Sequence, residues 1–271
     1  MSVLSATVNQ GEGRRAEVVL VYQSLLGIYG DRGNATVLAK RLAWRGFDAV
    51  LTTVEPGEPL PDTGDVYLLG GGEDAAQISA VEALRADGGL HRAVDRGAAV
   101  LAVCAGYQII GRSFTVGTVS DITVSAAPEA ESEGGGAGDE VIEGLGLLDV
   151  TTTRGPRRAV GEILSRWIDR DGDERWLTGF ENHGGYTRLG PDASPLADVE
   201  IGVGNCDDGT EGAVQGKVIG TYPHGPVLAR NPALADHVLE LALDEPLKPL
   251  RRPEIVELRR QRLAAVRRSA R

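Results

Sequence analysis

Apolar residues in this chain fall into short blocks separated by glycine-rich or polar junctions. Residues 18–22 form a continuous apolar run, too short for a globular helix and therefore a strand. The junction Leu26-Gly27-Ile28-Tyr29-Gly30-Asp31-Arg32-Gly33-Asn34 follows as a tight loop, in which Asp31 or Asn34 caps a helix over about 35–45. That helix presents Val37, Leu38 and Leu42 on one side and stops at Gly46. Residues 48–54 predict a second strand, 55–63 a proline-rich loop, and 65–69 a third strand running directly into Gly70-Gly71-Gly72. Helical segments over about 74–85 and 89–96 lead to the apolar run that ends at Cys104, where a new helix-compatible segment begins. Strands alternating with helices predict an α/β fold with a mostly parallel central sheet covered on both faces. Ligands of such sheets sit at the carboxyl ends of the strands, so Gly70–Gly72 and Cys104 are placed to share a crevice.

Beyond residue 140 the periodicity becomes β-like, over 148–153, 159–164 and 175–180. Glu181-Asn182-His183-Gly184-Gly185 is expected to be a polar turn. A strand over 218–222 ends in Pro223-His224-Gly225-Pro226. The basic tail carries a narrow apolar strip of Ile255, Leu258, Leu263 and Val266, which fits a solvated helix and a partner-docking helix equally. The expected organisation is a flexible leader over 1–15, one domain over 16–250 interrupted by a flexible Ala/Glu/Ser/Gly-rich insertion over 120–140, and a helical tail over 251–271.

Composition narrows the class. At 271 residues and 42% hydrophobic content the chain can build a substantial core, but with 4% aromatic residues that core must be aliphatic. A net charge of -11 argues against general nucleic-acid binding. Two distant cysteines make neither a disulfide framework nor a structural zinc site, and a free thiol fits a reducing cytoplasm. No apolar run reaches transmembrane length, and no signal-peptide core opens the chain.

The chemistry centres on Cys104. A thiol between a buried strand and a helix start faces unpaired backbone N–H groups and the positive end of the helix dipole, which favour the thiolate. Ala105 and Gly106 leave room for a substrate to approach, as in a nucleophile elbow. The same pattern also fits an inert buried cysteine, and this segment alone does not separate the two readings. Gly70–Gly72 is either a plain turn or a set of close-range N–H donors for an oxyanion, with the amide of Ala105 as the second donor. Of four histidines, His224 between proline and glycine is the best general-base candidate and His183 its competitor. His91 and His237 fall in helical segments, as surface or packing residues.

Gly70-Gly71-Gly72, Val103-Cys104-Ala105-Gly106-Tyr107-Gln108 and Tyr222-Pro223-His224-Gly225-Pro226 together resemble the class I glutamine amidotransferases of the cobyric acid synthase-like type. With Tyr29–Asn34 and Gly179–Gly185 the resemblance narrows to the GatD family, glutaminase subunits of lipid II isoglutaminyl synthase. It implies a flavodoxin-like three-layer sandwich, Cys104 as nucleophile forming a γ-glutamyl thioester, and His224 as its acid–base. It also implies substrate contacts from Gly71, Gly72, Ala105 and Gln108, and from Arg158 at the glutamine carboxylate, with Arg157 as the neighbouring alternative. Most class I members carry a glutamate two residues after the histidine, where this chain has Pro226. Asp31 and Glu181 are therefore the candidates for orienting His224, unless Cys104 and His224 act as a dyad. The resemblance further implies a heterodimer with a MurT-like Mur ligase homologue. That partner would bring ATP and magnesium, this subunit needing no cofactor or metal, and would handle lipid II, without direct membrane insertion here. The alternatives are the glutaminase of another cobyric acid synthase-like enzyme, a cysteine peptidase or deglycase of similar fold, and a non-catalytic regulatory subunit.

Overall fold

A computed structural model describes residues 9–27, 30–117 and 139–269. Residues 1–8 of the leader, Ile28 and Tyr29 of the glycine loop, and nearly all of the 120–140 insertion lie outside the described residues. The amino-terminal half runs β1 (Arg15–Val21), α1 (Gln23–Leu26), α2 (Arg32–Ala43), β2 (Asp48–Val54), β3 (Val66–Leu69), α3 (Asp74–Asp87), α4 (Gly89–Asp95), β4 (Ala99–Val103), α5 (Ala105–Ile110) and β5 (Ser113–Val116). The carboxyl-terminal half continues with β6 (Glu140–Glu143), β7 (Val150–Ile168), β8 (Glu174–Leu189), β9 (Ala197–Ile201), β10 (Thr210–Glu211), β11 (Ala213–Gln215) and β12 (Val218–Thr221). Three helices follow: α6 (Val227–Arg230), α7 (Pro232–Leu243) and α8 (Pro253–Ser269).

The first sheet has the order β11-β12-β4-β3-β1-β2. Its neighbours run parallel except β11, which pairs antiparallel with β12. Every residue of β3, β4 and β12 is buried, as a parallel sheet with both faces covered requires. The architecture is thus the expected α/β fold with a largely parallel sheet. Because β3, β4 and β12 are adjacent and parallel, their carboxyl ends deliver Gly70–Gly72, Cys104 and Tyr222–His224 to one edge.

A second, mostly antiparallel sheet, β10-β9-β7-β5-β6 with β8 paired to β7, forms from the β-like half of the chain. Here the structure corrects two expectations. The strands expected at 148–153 and 159–164 are one strand, β7, with a register shift between Arg154 and Ala159. Gly155 and Pro156 interrupt the pattern like a loop, but the irregularity absorbs the missing proline N–H and the ladder resumes. Likewise Glu181–Gly185 is not a turn but the middle of β8, with Glu181 opposite Gly161 and His183 opposite Ala159. The glycine that looked like a turn signal serves packing: a side chain on Gly185 would collide with Gln108, Thr152 Cγ2 and Tyr222 Oη.

Residues 9–14 and α8 also join the body. The amides of Gln10 and Gly11 donate to Arg45 O at 2.7 and 2.8 Å, and Lys248 N donates to Gln10 Oε1 at 2.8 Å, so residues 9–14 do not hang free. In α8 the apolar strip is split. Val266 is buried, and Arg267 lies over the Trp176 ring at 4.6 Å, while Leu258 is 66% exposed.

Candidate active site

Cys104 follows β4 with φ 55° and ψ −108°, a left-handed conformation that a non-glycine residue adopts at a cost of about 1–3 kcal/mol. Surrounding hydrogen bonds hold it there. Its own N–H donates to Thr221 O at 2.9 Å, its carbonyl accepts from Gln108 N at 3.1 Å, and the next glycine, Gly106, donates to Gly70 O at 3.0 Å. Gly106 is needed because a Cβ there would lie 2.8 Å from Leu69 Cβ and 2.9 Å from Leu69 O. The small residues after the cysteine thus permit close packing of the elbow on β3, while the thiol borders an open cleft.

His224 emerges from the end of β12 and is fixed by a two-way backbone bridge to Phe180 of β8, at 2.9 and 3.1 Å. Its Nδ1 lies 3.3 Å from Asp31 Oδ2, and its imidazole neighbours the Cys104 thiol. Burial by itself lowers the imidazole pKa. The interactions with Asp31 and Cys104, and their charges, outweigh it and carry His224 up to about 10.

Asp31 stands immediately before α2, buried, and its Oδ2 also accepts the N–H of Gly71 at 2.9 Å. Glycine at position 70 makes room for this approach, since a Cβ there would lie 2.9 Å from Asp31 Cβ. Glu181 takes no part at His224. Its carboxylate accepts the N–H groups of Val203 and Gly204 at 2.8 and 3.0 Å and lies 3.6 Å from His183 Nε2.

The bond to Asp31 alters the expected donor set. The amide of Gly71 is engaged by that carboxylate and Gly71 does not line the cleft, whereas Gly72 and Ala105 do. On the substrate side, Arg158 lines the cleft and its Nε donates to Asn182 Oδ1 at 2.8 Å. Arg157 pairs with Asp207 at 2.8 Å and does not line it. Gln108 lines the cleft with its Oε1 accepting from Gln77 Nε2 at 2.8 Å.

His183 also lines the cleft, but its ring is stacked on Tyr222 at 3.6 Å between centroids and its Nδ1 is 2.9 Å from Gly185 O. It has no link to Asp31 of the kind that orients His224. His91 bonds Leu145 O at 2.8 Å, and His237 packs edge-on to Trp167 at 5.2 Å; neither lines the cleft. Cys206 lies elsewhere, its thiol 3.0 Å from Asp208, and burial plus that carboxylate push it up to about 11, so it is a poor thiolate.

Sequence reasoning missed Arg154, Gln77 and Asn182 among the lining residues. Arg154 gave no periodic signal from Arg158, because the register shift between Arg154 and Ala159 breaks the alternation along β7. Gln77 had no signal beyond a lone amide in a helical segment. Among the described residues no group of His, Cys, Asp and Glu side chains is arranged to hold a metal ion, and no helix is long and apolar enough to cross a membrane.

Residues 17–232 match the CobB/CobQ-like glutamine amidotransferase domain. The chain is 31% identical over 233 residues to the lipid II isoglutaminyl synthase (glutamine-hydrolyzing) subunit GatD of Staphylococcus aureus strain N315, covering 85% of each chain. It is 30% identical over 227 residues to the same subunit of Streptococcus pneumoniae strain R6, covering 82% of this chain and 78% of that one. Among solved structures, PurLQS from Thermotoga maritima is similar in fold, with a TM-score of 0.54 at 16% identity over 86% of this chain and 98% of that one.

Proposed function

Since this chain belongs to the CobB/CobQ-like glutamine amidotransferase family, we propose that it is the glutamine-hydrolysing subunit of a lipid II isoglutaminyl synthase. The observation that carries this reading is the Cys104–His224–Asp31 arrangement opening on a cleft that also holds Arg158. Arg158 suits the α-carboxylate of glutamine through paired N–H donors, and Arg154 adds a second positive charge on the same side.

The reaction follows from these positions. His224 takes the Cys104 proton on Nε2, because Nδ1 faces Asp31, and the sulfur attacks the side-chain amide carbon of glutamine. The carbonyl oxygen becomes an oxyanion received by the amides of Ala105 and Gly72. Collapse breaks the C–N bond, and His224 returns its proton to the leaving nitrogen, releasing ammonia and a γ-glutamyl thioester. Water then attacks the thioester, with His224 taking its proton and handing it to the departing sulfur. Glutamate and free Cys104 result.

Ammonia released into bulk water at neutral pH is mostly protonated and no longer nucleophilic, so it must pass directly to a partner. In this reading the partner is a MurT-like Mur ligase homologue that binds ATP and magnesium and activates the D-glutamate α-carboxylate of the lipid II stem peptide. Amidation there yields D-isoglutamine. The heterodimer works in the reducing cytoplasm, where a free catalytic thiol persists, and contributes to peptidoglycan synthesis. The test is ammonia release from glutamine by the chain alone, with the partner, and as Cys104→Ala. Ammonia release that needs Cys104, with amidated lipid II only when partner and ATP are present, is the expected result. Hydrolysis retained by Cys104→Ala overturns the mechanism, and Cys104-dependent hydrolysis without lipid II amidation overturns the acceptor assignment.

A further inference from the structure

Glu211 of β10 is fully buried behind the catalytic pair, and nothing in the reaction above uses it. Its Oε1 accepts the hydroxyl of Thr221 at 2.5 Å and the N–H of Tyr222 at 3.0 Å. That N–H and the carbonyl of Thr221 are the two ends of one peptide group, and the carbonyl accepts the N–H of Cys104 at 2.9 Å. An unbroken line of hydrogen bonds therefore runs from the Cys104 amide, through the Thr221–Tyr222 peptide, to the Glu211 carboxylate.

The next residues along the chain are Pro223, which has no N–H to anchor, and His224. Glu211 thus grips the last peptide N–H before the catalytic histidine. We propose that Glu211 is a positioning residue, which holds Cys104 in its left-handed elbow and sets the point from which His224 extends. This inference rests on the Cys104–His224 pair proposed above.

Two physical arguments support it. A strained elbow persists only when its surroundings over-determine it, and the bond to Thr221 O is the one the Cys104 amide makes. A carboxylate accepting a peptide N–H polarises that peptide's carbonyl, which strengthens the bond on the far side. The site is also costly to keep. Glu211 Oε2 has no hydrogen-bond partner among the described residues. The titratable groups that act on the carboxylate or feel its charge are Glu181 from β8 and Tyr107 from α5, neither of them a cation. Burial, with Glu181 adding repulsion, pushes Glu211 up to about 7. A buried acid held without a cation, which receives the Thr221 hydroxyl and the Tyr222 N–H beside the catalytic elbow, is better explained by positioning than by stability.

The test is Glu211→Gln in the full chain, assayed with its partner subunit for glutamine hydrolysis and alone for alkylation of Cys104 by iodoacetamide. Glutamine keeps the shape and one acceptor oxygen but not the charge. The expected result is a kcat lower by about tenfold with KM changed by less than about twofold, and a matching fall in alkylation rate. The wild type is expected to show a rate step near pH 7 as Glu211 ionises, and the variant to lack it. A variant whose kcat and alkylation rate stay within about twofold of the wild type at every pH from about 6 to 9 overturns the proposal.

A second measurement does not depend on the variant folding. Amide hydrogen exchange at Cys104 in the wild-type chain should show protection rising as pH crosses about 7 and Glu211 ionises, beyond the intrinsic pH dependence. Protection that is flat across that range overturns the proposal. A wild-type complex that hydrolyses no glutamine overturns the functional reading instead, and alkylation and exchange then still decide on Glu211.

Discussion

Replacing Asp31 by asparagine isolates the group that orients His224. The carboxylate has two tasks: Oδ2 accepts the N–H of Gly71 at 2.9 Å and faces His224 Nδ1 at 3.3 Å. Asparagine keeps the shape, and its one oxygen can take the Oδ2 position, but the charge is lost and the Oδ1 position, 3.5 Å from His224 Nδ1, passes to an NH2 group that meets the Nδ1 donor head-on. The substitution therefore loses one charge-assisted hydrogen bond at a buried site, about 1.5–3 kcal/mol. If that energy is expressed in the transition state it corresponds to a rate loss of about 10–100-fold. Substrate contacts are untouched, so kcat should carry the loss while KM stays within about twofold.

A stability effect with a definite sign accompanies it. His224 stands at about 10 in the folded protein against 6.5 for an ordinary imidazole. A pKa raised by folding contributes stability that is complete below about 6.5 and is lost as pH rises through about 10. Without the Asp31 charge the folded pKa falls, so the alkaline loss should begin closer to neutrality. Steady-state kinetics of glutamine hydrolysis and thermal unfolding across pH check the two halves. A folded Asp31→Asn protein with unchanged kcat would refute the assignment of Asp31. In that case Cys104 and His224 act as an unassisted dyad.

Arg158→Gln should raise KM for glutamine by about 10–100-fold with little change in kcat, because a carboxylate clamp acts on ground state and transition state alike. Arg157→Gln, whose guanidinium is held on Asp207, should leave both constants unchanged, and the reverse pattern would exchange the two assignments. Gly185→Ala should lower stability by about 1–3 kcal/mol in denaturant unfolding, since the new methyl meets Gln108, Thr152 and Tyr222 together. Val266→Ala should cost ~1–2 kcal/mol at about 0.8 per buried methylene, whereas the exposed Val256→Ala should be neutral. Equal effects from the two valines would mean that α8 is not docked on the sheet through Val266.

What the amino-acid sequence determined by itself was local. Short runs of four or five mostly apolar residues suffice to specify β3, β4 and β12 as buried strands. Their shared direction brings Gly72, Cys104 and His224 to one edge. The elbow was legible for the same reason, since its strain and its small neighbours are written into consecutive residues.

The tertiary structure decided everything that depends on which distant backbone lies alongside. Gly155, Pro156, Gly184 and Gly185 look like turn signals, and only the pairing of β7 with β8 makes them an irregularity and a close contact inside long strands. Asp31 and Glu181 were equivalent as acids in the sequence. Asp31 orients His224 because β1 and β12 lie on either side of the β3–β4 pair and bring residues 193 positions apart into contact. Gly71 was a plausible oxyanion donor until that same carboxylate took its N–H. Glu211, in a polar stretch with no motif around it, gave no signal at all. Its role follows from a hydrogen bond to one peptide group, and no periodicity along the chain encodes which carboxylate a folded backbone will present to that N–H.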